Sequence, residues 1–154
     1  MTERFSSAGV GFVCIVGVGT GPMHLMTLRA LNRLRNADVV LHDRLDSTEV
    51  LDQIQPQAQR LYVGKALGDH AVPQQGIHAL LVAHLRLGSR VVRLKGGHPY
   101  VLGRGGEVVR ALQAEGIAFE VMPGVTAASG CSAMGWHPAH RPLSCATAYV
   151  LHKR

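Results

Sequence analysis

The sequence predicts an α/β protein: a parallel five-stranded sheet with helices on both faces. Two observations predict it. Short apolar runs rich in β-branched residues alternate with amphipathic segments along most of the chain, and glycine or a charged residue follows nearly every apolar run. The chain has 154 residues, 47% of them hydrophobic and 17% charged, so it is long and apolar enough for one packed domain.

The first half of the chain supplies three strands and two helices. In order, we predict a strand at 12–16, a helix at 24–36, a strand at 37–42, a helix at 49–55 and a strand at 60–63. The first helix has leucines at helical spacing, namely Leu25, Leu28, Leu31 and Leu34. A polar Asp-Ser-Thr run precedes the second helix and Pro56 ends it. The strands are short apolar runs bounded by polar residues.

The second half continues the alternation. We predict a helix at 74–87, a strand at 90–94, a helix at 107–115, a strand at 119–122 and a helix at 127–134. The first of these helices presents Ile77, Leu80, Leu81 and Leu85 on one face. Gly88 and Gly116 follow two of the helices as C-terminal stops. The last helix consists mostly of small residues.

Residues with ligand-binding chemistry follow the carboxyl ends of all five predicted strands. They are the glycine loop 17–21, Asp43, Gly64 with Lys65, Gly96 with Gly97, and the run 124–126. The carboxyl ends of parallel strands share one edge of the sheet, where ligands bind in open α/β folds. The sequence therefore predicts a small-molecule site at this edge, hereafter the carboxyl edge. Glycine pairs beside Lys95 and Arg104 favour a loop shaped round a ligand, with a solvated connection as the alternative.

Charge and composition narrow the class of partner. The net charge of +6 and the pI near 9.8 favour an anionic partner, but scattered basic residues and 5% aromatic residues argue against nucleic acid. The three cysteines, Cys14, Cys131 and Cys145, are predicted to be reduced packing thiols, and no metal site is expected. No apolar run approaches the roughly 20 residues of a membrane span, and no leader pattern is evident. We expect a cytoplasmic protein without membrane contact.

The first glycine loop raises the alternative of a dinucleotide-binding oxidoreductase. Asp43 stands about twenty residues further on, where such folds place a ribose-binding acid. However, Pro22 occupies the place of the third glycine, and the glycine loop after Lys95 would have no role. The pattern GxxxxGK[ST] of phosphate-binding loops does not occur. A dinucleotide site is therefore disfavoured.

Five segments together resemble the tetrapyrrole methylases, and within them the uroporphyrinogen-III C-methyltransferases. They are VGVGTG with LMTLRAL, ADVVLHDRL, YVGKALGDHAVPQQGI, RVVRLKGGHPYVLGRGGE and PGVTAASGCSA, between about Val13 and Arg141. The resemblance implies transfer of methyl groups from S-adenosylmethionine to two carbons of uroporphyrinogen III, giving precorrin-2 for sirohaem or cobalamin. It also implies a flexible N-terminus at 1–11, a tetrapyrrole methylase N-terminal domain at 12–142, the start of a second domain at 143–154, and a homodimer.

The resemblance assigns roles to individual residues. Asp43 matches the family's proton acceptor and Lys65 its proton donor, with a structural ion pair between them as the alternative. The positions that match donor-binding residues are Thr20, Gly96, Gly97, His98, Val101, Thr126 and Ala127. Arg44, Arg104 and Arg141 are candidates for binding substrate carboxylates, with solvated surface arginines as the alternative.

Two positions depart from the family's motifs. Acids of the family are replaced by Pro22 and His98, and an imidazole is not expected to replace a carboxylate that accepts hydrogen bonds, so weaker donor binding is expected. Family members continue through a second α/β half that completes the donor cleft. We therefore expect little or no methyl transfer by this chain alone and an exposed apolar face. The alternative function is a degenerate, non-catalytic domain that binds a tetrapyrrole or a partner.

Overall fold

The computed structural model describes residues 11–43, 48–64, 74–101 and 104–135. Its strands are β1 (Phe12–Gly17), β2 (Val39–His42), β3 (Gln59–Tyr62), β4 (Arg90–Lys95) and β5 (Phe119–Met122). Its helices are α1 (Leu28–Arg35), α2 (Glu49–Asp52), α3 (Gln74–Arg86), α4 (Gly105–Ala114) and α5 (Ala127–Met134), with a 3-10 turn at Met23–Leu25. Strands and helices alternate as the sequence predicts.

The five strands form one parallel sheet in the order β3-β2-β4-β1-β5. β4 is therefore the central strand, with β2 on one side and β1 on the other. Connections between parallel strands are right-handed, so those that run in opposite directions across the sheet lie on opposite faces. This rule places α1 and α2 on one face and α3 and α4 on the other, which confirms the predicted fold class.

A separate apolar core lies on each face of the sheet. Leu34 of α1 and Val50 of α2 pack against Val16, Val40 and Leu94 on one face. The other face buries a second set, which includes Ile15, Leu41, Val91, Leu81 and Leu112. Neighbouring residues of one strand enter different cores because side chains alternate across a sheet. β1, β2 and β4 are consequently buried on both sides, as strands of a parallel sheet should be.

The first helix differs most from its prediction. It begins at Leu28, not at residue 24, because the side-chain Oγ1 of Thr27 accepts a 3.2 Å hydrogen bond from the N–H of Ala30 and caps it. Ala30 and Leu34 face the sheet, whereas Leu28 is 81% exposed. Successive helical residues are about 100° apart, so Leu28 points away from the face that holds Ala30. The predicted leucine face was therefore wrong at Leu28.

The remaining boundaries agree with the prediction or differ from it by at most two residues, apart from α2, which ends at Asp52 and not at 55. The prediction of packing thiols holds for Cys14, which is buried, and is wrong for Cys131, which is exposed. Gly130 lies on the buried face of helix α5, so Cys131, the next residue, lies on a different face. Cys145 and the proposed boundary at 142 lie outside the described residues. Within the described residues, no helix has both the length and the apolar character to cross a membrane.

Candidate functional site

Three loops meet in backbone contact at the carboxyl edge. A Cβ atom on Gly17 would stand 2.6 Å from both the N atom of Gly124 and the carbonyl oxygen of Gly97. Gly97 also exchanges two hydrogen bonds with Gly19, of 2.8 Å and 3.3 Å. No side chain fits at the crossing of these loops, so glycine is required there. The loops after β1, β4 and β5 are thereby fixed to one another.

A second set of glycines faces open space. Cβ atoms built on Gly21, Gly96, Gly97 or Gly106 would meet nothing within 4 Å. Gly97 combines this open side with a φ of 62° that other residues rarely adopt. The backbone at Gly96 and Gly97 is therefore accessible to a bound molecule. Gly105 behaves differently, because its N–H donates a 2.9 Å hydrogen bond to the carbonyl of Pro99 and a Cβ would collide with that carbonyl.

Thr20 and the start of α5 lie beside these loops. Gly130 of α5 lies so close to the Thr20 side chain that a Cβ at Gly130 would collide with it. The Thr20 Oγ1 is buried and has no hydrogen-bond partner among the described residues. Thr126 precedes α5 in an extended conformation, and its side chain makes no capping hydrogen bond. Ala127 is exposed at the first turn of the helix.

His98 accepts a hydrogen bond from the chain that follows it. The N–H of Tyr100 donates to the imidazole Nδ1 at 3.1 Å, and the N–H of Val101 donates to the His98 carbonyl at 3.0 Å. A backbone N–H only donates, so the Nδ1 lone pair is the acceptor in this bond. The imidazole therefore serves as a hydrogen-bond acceptor within this loop, and the weaker donor binding expected for His98 stays a prediction. Pro22, the other departure, starts the 3-10 turn by accepting from the N–H of Leu25 at 3.0 Å.

Asp43 follows β2 and is bound by two cations of β4. Arg93 Nη2 donates to Asp43 Oδ1 at 2.7 Å, and Lys95 Nζ donates to Asp43 Oδ2 at 2.8 Å. Burial by itself would raise the pKa of the Asp43 carboxyl, but the charge of Arg93 and the hydrogen bonds from both cations lower that pKa below its ordinary value. Asp43 is therefore held as a carboxylate.

The structure describes most of the predicted site residues at the carboxyl edge, and three others lie outside the described residues. Those described at the carboxyl edge are Thr20, Asp43, Gly96, Gly97, His98, Val101, Thr126 and Ala127. Lys65, Arg44 and Arg141 lie outside the described residues, so the predicted pairing of Asp43 with Lys65 stays a prediction. Arg104 is exposed, and it starts α4 in a left-handed conformation with a φ of 52°.

No role was predicted from the sequence for Arg93 or Lys95, the two residues that bind Asp43. A signal for Arg93 was available, because a charged residue inside an otherwise apolar central strand needs a buried partner. Among the described parts of the chain, no three histidine, cysteine or acidic side chains converge on a point that would hold a metal. The fold and the site geometry together define an α/β domain with a candidate small-molecule site at the carboxyl edge of its sheet.

Comparison with known proteins extends this description. Residues 13–148 match the model of the tetrapyrrole (corrin/porphyrin) methylases. The chain is 52% identical to the siroheme synthase of Acinetobacter baylyi over 144 residues, which are 92% of this chain and 32% of that protein. It is 51% identical to the siroheme synthase of Edwardsiella ictaluri over 140 residues, 89% of this chain and 30% of that protein. The chain belongs to the tetrapyrrole methylase family, and it spans about a third of these relatives.

Solved structures agree with this assignment. Uroporphyrin-III C-methyltransferase from Thermus thermophilus superposes with a TM-score of 0.71 and 45% identity, covering 86% of this chain and 56% of that one. The same enzyme complexed with S-adenosyl homocysteine gives a TM-score of 0.71 and 46% identity, covering 86% and 55%. A cobalt precorrin-4 methyltransferase gives a TM-score of 0.74 at 30% identity, covering 85% and 53%. The resemblance found in the motifs is confirmed.

Proposed function

We propose that this chain takes part in the S-adenosylmethionine-dependent C-methylation of uroporphyrinogen III to precorrin-2, on the route to sirohaem or cobalamin. The observation that carries the proposal is the open backbone of Gly96 and Gly97, which directly follow the Lys95 that binds the Asp43 carboxylate, at the carboxyl edge of a methylase fold. A structural neighbour at 46% identity is complexed with S-adenosyl homocysteine, the product that the donor becomes after losing its methyl group.

The described residues fit the methyl donor. Gly96 and Gly97 leave space in which no Cβ would stand, and the Thr20 Oγ1 is a buried polar atom still without a partner in the described part of the chain. Gly97, His98, Val101, Thr126 and Ala127 surround this space in the proposal, with backbone groups supplying the hydrogen bonds. The donor supplies an activated methyl group on a sulfonium.

Methyl transfer requires mainly that the protein align the accepting carbon with the methyl group of the donor. A carbon of the tetrapyrrole forms a bond to the methyl group while the bond from that methyl to sulfur breaks, and the sulfur leaves as a neutral thioether. Holding the carbon in line with the methyl group is therefore the main contribution to the rate. The substituted pyrrole carbon that gains the methyl group has no hydrogen of its own, so the macrocycle must lose a proton from another position to return to neutrality. We assign the acceptance of that proton to the Asp43 carboxylate and assign Lys65 the role of proton donor.

The substrate's charge fits the protein's charge. Uroporphyrinogen III carries acetate and propionate arms, and the chain has a net charge of +6. Arg104 is exposed at the start of α4, close in sequence to the open glycines, and we assign it to a substrate carboxylate. Arg44 and Arg141 are proposed for the same task.

Calorimetric titration with S-adenosyl homocysteine, followed by a transfer assay with labelled S-adenosylmethionine and uroporphyrinogen III, tests the proposal. Gly97→Ala should abolish donor binding, because the added methyl enters the open space. Gly116→Ala is the matched control: Gly116 has a φ of 65°, like the 62° of Gly97, and also faces open space, but it lies after α4. Equal loss of binding in both variants, or none in either, would contradict the assignment.

A second candidate function is a non-catalytic domain that binds the tetrapyrrole. The observation that favours it is that both Asp43 oxygens are already engaged, by Arg93 and Lys95, which reduces the carboxylate's basicity. Tetrapyrrole binding without any methyl transfer would identify this alternative.

We also propose that the chain forms a homodimer. Large apolar side chains are exposed in the described residues, among them Leu28 at 81%, Leu87 at 78% and Met134 at 59%. Apolar surface of this kind is commonly covered by association. Light scattering on the eluting protein measures the mass, and a monomer at all concentrations would refute the dimer.

A further inference from the structure

Arg93 is the one charged side chain that is fully buried within the described residues, with 3% of it exposed. It belongs to the central strand β4, and the register of the sheet places Ile15 and Leu41 beside it, both completely buried. A guanidinium in such surroundings is costly unless an opposite charge and hydrogen-bond acceptors accompany it. Packing alone therefore does not account for an arginine here.

The partners of Arg93 all lie toward the carboxyl edge. Its Nη2 donates to Asp43 Oδ1 at 2.7 Å, and its Nη1 donates to the carbonyl of Leu94 at 2.8 Å and to that of Leu41 at 3.5 Å. Its Nε has no partner in the described part of the chain. Asp43 is thus the negative charge that compensates Arg93. Carbonyls of two adjacent strands hold the guanidinium itself in place.

Arg93 and Lys95, the two cations that bind Asp43, differ in how far their side chains are exposed. The Arg93 side chain is 3% exposed, whereas the Lys95 side chain is 16% exposed and that of Asp43 is 30% exposed. A molecule at the carboxyl edge can therefore contact Asp43 and Lys95 but not Arg93. Each carboxylate oxygen accepts from a different cation, so rotation of the carboxylate would break both hydrogen bonds.

We propose that Arg93 is a positioning residue: from beneath the carboxyl edge it fixes the Asp43 carboxylate in one orientation, with Oδ2 turned toward Lys95 and the ligand. The inference rests on the proposed function of Asp43 as proton acceptor. Arg93 acts only through Asp43 and touches neither substrate nor donor. Arginine suits this task because its planar fork binds a carboxylate and a carbonyl at once, which the point charge of a lysine does not.

The test uses Arg93→Met, Arg93→Lys and, as the comparison, Lys95→Met. In chains labelled with ¹³C-aspartate, the Asp43 carboxyl signal is identified by its loss in Asp43→Asn and is titrated against pH. We expect the Asp43 titration to move to higher pH in both Arg93 variants. We also expect kcat for methyl transfer to fall about 100-fold, as for a misplaced catalytic group, with its acid limb moved the same way and the Kd for S-adenosyl homocysteine within about twofold.

A purely structural Arg93 makes a different prediction. Loss of the Arg93 charge would still move the Asp43 titration, but kcat at a pH where Asp43 is ionised would stay unchanged in the folded variants. Unchanged kcat at that pH, or an unchanged Asp43 titration, in folded Arg93→Met and Arg93→Lys overturns the inference. Absence of methyl transfer by the unaltered chain overturns the proposed function instead. In that case the Asp43 titration still tests the inference about Arg93.

Discussion

The imidazole of His98 does for Tyr100 what a carboxylate would do: its Nδ1 accepts the backbone N–H of Tyr100 at 3.1 Å. The bond closes a tight turn directly after Gly97, whose carbonyl and N–H hold the loop of β1. The turn therefore links the backbone proposed to contact the methyl donor to the acceptor on His98. An aspartate at this position would offer an acceptor to the same N–H, whereas an alanine would not.

Donor binding should consequently depend on the hydrogen-bond acceptor at residue 98. His98→Ala removes the acceptor of the Tyr100 N–H, so the affinity for S-adenosyl homocysteine should fall about fivefold, the value of one hydrogen bond. Calorimetric titration at a single pH measures the effect. His98→Asp should keep the affinity, because a carboxylate accepts the same N–H.

The control for this experiment is His84→Ala, which changes a histidine of α3 away from the loop. It should leave the affinity unaltered. Unchanged affinity in His98→Ala would mean that the hydrogen bond to Tyr100 does not support donor binding.

The contact between Gly130 and Thr20 should exclude any side chain larger than glycine at position 130 of α5. Gly130→Ala brings a methyl group into collision with a short, β-branched side chain that cannot swing away, so we expect a loss of about 1–3 kcal/mol in the free energy of unfolding. Denaturant titration measures the loss. Thr20→Ala in the same chain should recover part of it.

Gly106→Ala is the matched control, since Gly106 is also helical but faces open space. It should be neutral or stabilising by up to about 1 kcal/mol. Equal losses in the two helices would show that the Thr20 contact is not the cause.

Two aspartate–arginine pairs should differ sharply in their contribution to stability. Asp43→Asn leaves the buried charge of Arg93 with only Lys95 beside it, so we expect a loss of about 3–5 kcal/mol. Asp38→Asn removes the partner of Arg90, but those side chains are 39% and 58% exposed, so the loss should stay below about 1 kcal/mol. Urea unfolding of both variants tests the difference, and equal losses would contradict the burial argument.

The pH dependence of these pairs follows from their pKa values. The pKa of the Asp43 carboxyl is lowered in the folded chain, so its contribution is fully present above the ordinary aspartate value and is lost as the pH falls through the lowered one. Acid unfolding should therefore begin below the pH at which free aspartates protonate. Asp43→Asn should remove this acid step, which a pH series followed by circular dichroism detects.

The alternation of elements and the carboxyl edge could be predicted because they depend on local patterns. β5 and α5 have the predicted bounds, and every glycine loop follows a strand as expected. The pairing of Asp43 with Arg93 could not be predicted, since the residues are 50 positions apart and meet only because β2 and β4 are neighbours in the sheet. The sequence also could not show that Gly17 is in close contact with other loops whereas Gly96 faces open space, because both environments depend on the tertiary arrangement.

The two described cysteines should differ in reactivity. Burial raises the pKa of the Cys14 thiol to about 12, with the nearby Arg33 charge opposing the shift, and Cys14 lies in the core beneath α1. At pH 8 about one Cys14 in ten thousand would be a thiolate, the form that attacks disulfide reagents, whereas Cys131 is exposed. In a Cys145→Ser background we expect one thiol to react promptly with a disulfide reagent and the other only on unfolding. Cys131→Ser should abolish the prompt reaction and Cys14→Ala should leave it intact; the reverse pattern would mean that β1 is not buried in solution.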